Sequence, residues 1–235
     1  MPSSWIENVP VIVKCILAVN PKRMLDLGLG SGKYGFLVRE LTDFMNNRLD
    51  PNNWEMIIDG VEGYGEYIQD HQRYIYNNIF ISEALDFLTK YSGPKYDVAI
   101  AIDIIEHFEP WDVVEFVKYA LQASGYLIIS TPTDFFQQDI CENELENHKS
   151  WWPKKALNRL AKICNAEIRI LRVYKSSVAI LSRENKLPKI KLRRARAFLR
   201  FFADLFFPEL LYYKIKGGSG RNILNTPPPK TSLMP

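Results

Sequence analysis

An α/β fold is predicted for this chain: a doubly wound, mostly parallel seven-stranded sheet that ends in an antiparallel hairpin, with helices on both faces. Three observations lead there. Short apolar runs alternate with helix-like stretches from about residue 20 to residue 182. The runs lack the period-2 alternation of a strand with one wet face, as expected where helices cover both sides. The last two runs are separated by only Tyr174-Lys175-Ser176, too short a link for a crossover, so they must pair antiparallel.

The elements follow in order. Ser4-x-x-Glu7 has capping-box spacing and predicts a helix over Trp5 to Ala18 that packs on the sheet edge. Met24 to Leu27, Met56 to Glu62, Ile79 to Ile81, Tyr96 to Ile102 and Gly125 to Ser130 read as five strands. Between the last two, Val113, Val114, Val117, Ala120 and Leu121 recur at helical spacing behind Pro110, which suits a first helical turn. Lys154 to Cys164 is helical and leads into the hairpin runs Glu167 to Val173 and Ser177 to Ser182.

With 235 residues, 47% of them apolar, the chain can bury one sizeable core but is short for two. No run of membrane-spanning length and no signal-peptide pattern is present, so a soluble cytoplasmic protein is expected. Cys15, Cys141 and Cys164 are far apart and without a C-x-x-C pair, which argues for buried reduced thiols rather than disulfides or a zinc knuckle. Charge divides the chain. Residues 1–182 hold 18 Lys+Arg against 24 Asp+Glu, net −6, whereas 183–235 hold 12 against 3, net +9. This places the expected boundary between a domain over 1–184 and a basic, aromatic-rich accessory segment over 185–235.

The strongest local signal is Leu25-Asp26-Leu27-Gly28-Leu29-Gly30-Ser31-Gly32-Lys33-Tyr34-Gly35, placed after the first strand and before a helix. Glycines there permit positive φ and close approach of a ligand, and the helix N-terminus favours an anionic group. A Walker loop fails, because Leu27 stands at its first glycine position and Tyr34 follows the lysine. Gly30-Ser31-Gly32-Lys33-Tyr34-Gly35 spells the dinucleotide pattern, but in the wrong register, since the strand ends at Leu27 and Gly28 opens the turn.

Asp26, Gly28, Gly30 and Gly32 closely resemble the Asp-x-Gly-x-Gly-x-Gly loop of class I S-adenosylmethionine-dependent methyltransferases. The companions stand in the same order: Asp59-Gly60-Val61-Glu62, Ser82-Glu83-Ala84, Asp103-Ile104-Ile105-Glu106-His107, and Gly125 to Pro132 with its Thr-Pro end. The resemblance covers roughly residues 20 to 184. It implies S-adenosyl-L-methionine as cofactor, with the three glycines against its methionine portion, Glu62 on the ribose, Tyr64 over the adenine and Glu83 toward its amine. Asp26 and Asp103 complete the expected cofactor set.

In such enzymes the activated methyl belongs to the cofactor, and the protein aligns the acceptor for in-line displacement. A hydroxyl acceptor also needs a proton removed. His107 is the candidate base and Glu106 its catalytic neighbour, with a carboxylate expected to orient the imidazole and raise its pKa. Glu106-His107 with the later His148 also resembles the divalent-metal site of small-RNA 3′-end 2′-O-methyltransferases, with Asp103 where those enzymes have Glu. Their wider pattern around the second histidine is absent, and no metal is assigned from sequence. A small-molecule acceptor is expected first. RNA is the alternative, or an anionic surface, through Lys186, Lys189, Lys191, Arg193, Arg194, Arg196, Arg200 and the phenylalanines after them. A noncatalytic cofactor-binding scaffold and an NAD-dependent oxidoreductase are the readings from other classes.

Overall fold

The computed structural model describes residues 4–135 and 143–190. Seven strands form one sheet: β1 (Arg23–Leu27), β2 (Ile57–Glu62), β3 (Asn78–Ile81), β4 (Tyr96–Ile102), β5 (Ser124–Pro132), β6 (Glu167–Val173) and β7 (Ser176–Ser182). Their order is β3-β2-β1-β4-β5-β7-β6. The first five run parallel, and β7 pairs antiparallel with both β5 and β6. Among the described residues six α-helices accompany them: α1 (Val9–Ala18), α2 (Lys33–Thr42), α3 (Asp70–Ile75), α4 (Ala84–Lys90), α5 (Pro110–Ala123) and α6 (Lys154–Ile163).

Consecutive residues of each central strand feed opposite cores. Leu25, Leu27, Ala99, Ala101, Leu127 and Ile129 pack with α5 and α6 on one face. Met24, Ile58, Val98, Ile100, Ile128 and Ile180 pack with α1 and α2 on the other. Residues of either parity are therefore apolar, which is why the sequence shows runs instead of alternation. Because β1 continues outward to β2 and β3 while β4 continues to β5, the sheet reverses its winding between β1 and β4. The crevice at the carboxyl ends of these two strands is where such sheets take ligands. Asp97 closes the opposite end of that pair, its Oδ2 accepting from the amides of Lys22 at 2.7 Å and Arg23 at 2.9 Å.

Two expectations need correction at the N-terminus. Ser4 and Glu7 form no capping box; a single 3-10 turn, Ile6–Asn8, precedes α1, and its N-cap Trp5 makes no side-chain cap. Ser4 is diverted, because its carbonyl accepts from Lys33 Nζ at 2.9 Å and its hydroxyl meets the Tyr34 hydroxyl at 3.1 Å. Nor does α1 sit at the sheet edge. Ile12, Cys15 and Ile16 bury into the face made by β5 and β7. Of the cysteines, Cys15 and Cys164 are buried and free, burial pushing the Cys15 thiol up to about 12; Cys141 lies outside the described residues. So does the basic segment from residue 191. Residues before it pack on the domain, since Leu187 is buried and Arg169 donates to the Pro188 carbonyl. No helix among the described residues is long and apolar enough to cross a membrane.

A buried ion pair braces the domain behind the glycine turn. Arg39 on α2 and Asp43 just beyond it have no exposed side-chain surface and meet at 2.7 Å. Arg39 also donates to the carbonyls of Met56 and Ile75 and to Asn77 Oδ1, and its guanidinium lies 4.0 Å from the centre of the Trp54 ring. Burial pushes the Asp43 carboxyl up, but Arg48, the Glu55 amide and Arg39 together hold it below its ordinary value. Arg39→Ala leaves Asp43 to Arg48 and the Glu55 amide and takes the guanidinium from the buried Met56 and Ile75 carbonyls, and is expected to lower unfolding free energy by about 3 kcal/mol. A urea midpoint within error of the parent would refute this role.

Candidate functional site

A cavity of about 410 Å³ opens at the carboxyl ends of β1 and β4, a size suited to a nucleoside-like ligand. Asp26, Gly28, Gly30, Glu62, Glu83, Asp103, Glu106 and His107 all line it. Sequence reasoning had singled out each of them. Gly32 and Tyr64 are not among the lining residues. Gly32 instead starts α2 at φ +74°, where an added Cβ would stand 2.9 Å from Gln72. Tyr64 turns its hydroxyl to Glu66 at 2.7 Å and its ring edge to Tyr67, while its amide serves Glu62.

The glycine turn is held from below and behind. The amides of Gly28 and Leu29 both donate to the Val61 carbonyl. Glu62 accepts from the Gly30 amide through Oε2 and from the Tyr64 amide through Oε1, each at 3.0 Å. Gly28 has φ +73°, and a Cβ there would fall 2.2 Å from Ile104 Cδ1, so only glycine fits. Gln72 completes the brace by donating to the Gly30 carbonyl.

The lining is strongly acidic. Burial pushes the Asp26 carboxyl up to about 7; the Tyr76 hydroxyl, donating at 2.6 Å, opposes that rise and nearby Glu62 adds to it. Burial likewise raises Glu62 and Asp103. Asp103 sits at φ +55° and accepts from the Ser130 hydroxyl at 2.5 Å. Tyr76 and Ser130 were missed in the sequence. A tyrosine fifty residues from its aspartate leaves no spacing signal, and Ser130 reads only as the end of a strand.

His148 reaches the cavity because its loop is pinned to the 3-10 turn Ile105–His107. The amides of Lys149 and Ser150 both donate to the Glu106 carbonyl, at 2.8 and 3.0 Å, and Ser150 Oγ donates to the Ile105 carbonyl. The rings of His107 and His148 then lie 4.9 Å apart at 68°. One potential ligand atom from each of Glu106, His107 and His148 falls within 4.8 Å of the others. Glu106 is 2% exposed, and neither carboxylate oxygen makes a hydrogen bond of good geometry. Burial, with Asp103 close by, drives its pKa well above the ordinary carboxylate range, opposed only by the Thr131 hydroxyl and its own amide. Asp103, the first ligand suggested by the metal-site resemblance, is outside this cluster, engaged with Ser130.

The expectation for the His107 pKa is reversed. Burial and then His148 lower it to about 4, against the opposing pull of the Asn147, Asp103 and Glu146 carbonyls. His107 is thus a neutral imidazole near pH 7. Its Nδ1 faces the Asn147 carbonyl at 3.3 Å; a carbonyl can only accept, so Nδ1 carries the proton and Nε2 keeps a lone pair.

The sequence matches no family model and no curated protein. Solved structures do match. The methyltransferase domain of bacterial CtHen1 superimposes with a TM-score of 0.52 at 20% identity, over 75% of this chain and 97% of that one. Magnesium protoporphyrin IX methyltransferase from Synechocystis PCC 6803, with bound S-adenosylhomocysteine, gives 0.53 at 14% identity, over 76% and 83%. The chain has the class I methyltransferase fold. An O-methyltransferase family protein from Burkholderia thailandensis gives 0.54 at 16% identity over 75% of this chain; the match spans 56% of that longer protein. The antiparallel β5-β7-β6 end, expected from the short hairpin link, is shared with this fold and absent from the all-parallel dinucleotide sheet.

Asp26→Asn tests the electrostatics of the strand end, since it keeps the oxygen that accepts from Tyr76 and removes the charge. With a native value near 7 against 3.8 for the unperturbed group, the folded state holds the proton more tightly. The stability this contributes is full below about pH 4 and is lost as pH rises through about 7. In unliganded protein the variant should gain several degrees of melting temperature over the parent at pH 8, and much less at pH 5. Equal differences at both pH values would contradict the assignment.

Proposed function

We propose that this chain is an S-adenosylmethionine-dependent methyltransferase acting on a hydroxyl oxygen, with a divalent cation held by Glu106, His107 and His148. The observation that carries the reading is the buried Glu106 carboxyl, without a hydrogen bond of good geometry, grouped with two imidazoles on the wall of an acidic cavity. A buried carboxylate so weakly compensated is costly unless it takes up a proton or a cation neutralises it. Oxygen and imidazole donors suit magnesium, manganese or zinc-like ions better than soft metals.

The cavity also fits the cofactor. Asp26, Glu62, Glu83 and Asp103 surround it with carboxylates, which favours a ligand bearing a sulfonium cation, and the glycine turn leaves main chain exposed on one side. Bound S-adenosylmethionine would supply the activated methyl group. A bound cation would lower the pKa of an alcohol oxygen. The chain's own residues orient and enclose: Glu62 fixes the glycine turn, Asp103 and Ser130 shape the exit of β4, and Ser4 and Trp5 cover the cavity beside Lys33. His107, neutral and holding an Nε2 lone pair, serves as cation ligand in this reading; without a cation it is the base first expected from sequence. The small-molecule acceptor expected first and the RNA alternative present the same kind of oxygen to this centre.

Calorimetry with the full chain is expected to show S-adenosylhomocysteine binding and no comparable response to NAD. Manganese binding followed by electron paramagnetic resonance should weaken at least tenfold in His148→Ala while S-adenosylhomocysteine affinity stays within about twofold. Tight NAD binding without a response to S-adenosylhomocysteine would overturn the methyl-donor site. Unchanged manganese affinity in the variant would remove the cation.

A further inference from the structure

One short segment, 143–150, walls both halves of the cavity, with Leu145, Glu146, His148 and Lys149 in its lining. At the β2 exit it is held by side chains. Asn143 Nδ2 donates to the Tyr67 hydroxyl at 3.2 Å, while Asn143 Oδ1 caps the 3-10 turn Glu144–Glu146 by accepting from the Leu145 amide. Leu145 lies over Gly63, where an added Cβ would stand 2.9 Å from Leu145 Cδ1 and 3.9 Å from Glu83. Glu146 is buried in the same half: burial raises its carboxyl, Glu62 adds to that rise, and the Tyr67 hydroxyl opposes it.

At the β4 exit the same segment serves the imidazoles. The Asn147 carbonyl accepts from His107 Nδ1 and so decides which ring nitrogen keeps a lone pair. His148 follows directly, and the amides of Lys149 and Ser150 close the segment onto the Glu106 carbonyl. Only two residues separate Leu145, against Gly63, from His148, in the donor cluster. A ligand filling the β2 half packs on Leu145 and Glu146 and thereby fixes the main chain that orients both histidines. Ordering the segment opposes the first ligand to bind; the second meets a wall already in place. Imidazoles whose outer partners are fixed also hold a metal more tightly.

We propose that Tyr67, Asn143 and Leu145 are positioning residues for the cation donors, and that through segment 143–150 a nucleoside thioether in the β2 half tightens divalent-cation binding at Glu106, His107 and His148. The inference rests on the methyl-transfer and cation readings and adds the residues that link the two sites.

Manganese affinity of the full chain is measured by electron paramagnetic resonance with and without saturating S-adenosylhomocysteine, and S-adenosylhomocysteine affinity by calorimetry with and without saturating manganese. This thioether carries no net charge near neutral pH, so its direct Coulomb effect on the cation is small. Each ligand should tighten the other by the same factor, roughly fivefold or more, because linkage makes the coupling reciprocal. Tyr67→Phe removes the hydroxyl and keeps the ring that meets Tyr64; Leu145→Ala removes the contact with Gly63 from a side chain already 38% exposed. Both variants should melt within a few degrees of the parent. Each is expected to bring the coupling factor to within about twofold of one, a ratio that a merely structural loss of either affinity would not move. A factor of one in the parent, or a parental factor in both variants, overturns the coupling while both sites stand. A parent that binds no S-adenosylhomocysteine removes the methyl-donor reading, one that binds no manganese removes the cation reading, and either result takes the coupling with it.

Discussion

The two-sided burial of β1 and β4 constrains everything at the carboxyl edge of this sheet. Strands covered by helices on both faces cannot expose polar side chains along their length, so polar chemistry concentrates where they emerge. Asp26 and Asp103 occupy those exits, and the winding reverses between them, leaving a cavity that no crossover fills. The acids Asp26, Glu62 and Glu106 are therefore buried, and their chemistry follows from that. Burial moves Asp26, Glu62, Asp103 and Glu106 all in the same direction, toward the neutral form.

Such an arrangement stores unfavourable solvation and recovers it when a cation arrives. The acids differ in how far they are already satisfied. Glu62 has two main-chain donors, Asp26 has Tyr76 and Asp103 has Ser130, whereas Glu106 makes no hydrogen bond of good geometry. His107 responds to the same burial in the opposite sense, since desolvation and a second imidazole both oppose its protonated form.

Three short connections convert the fold into a site. The Glu106 carbonyl, accepting from two successive amides, carries His148 across forty residues of sequence to His107. Ser4, held by Lys33 and Tyr34, draws the N-terminal segment over the mouth. Thr133 ties the β6–β7 turn to the end of β5, so the exposed tyrosine of that turn stands beside the cavity. Each link uses at least one main-chain group, beside the hydroxyl contact of Ser4 with Tyr34, and none needs a distinctive residue pattern.

That absence of pattern marks the division between sequence and structure. Periodicity and length sufficed for the parallel strands, the closing hairpin, the helix behind Pro110 and the helix that begins at Lys154, because burial on one or both faces is written directly in the spacing of apolar residues. The glycine turn was legible for a similar reason, since φ near +73° at Gly28 favours one residue type; the acids at strand ends were legible only through the ordered resemblance to a known family. The failed capping box at Ser4, the turning of Tyr64 and Gly32 from the cavity, the Tyr76 and Ser130 partners, and the lowered pKa of His107 were decided only by tertiary structure. They depend on which groups from distant segments share a low-dielectric space, and a hydrogen bond or a desolvation penalty has no period along the chain.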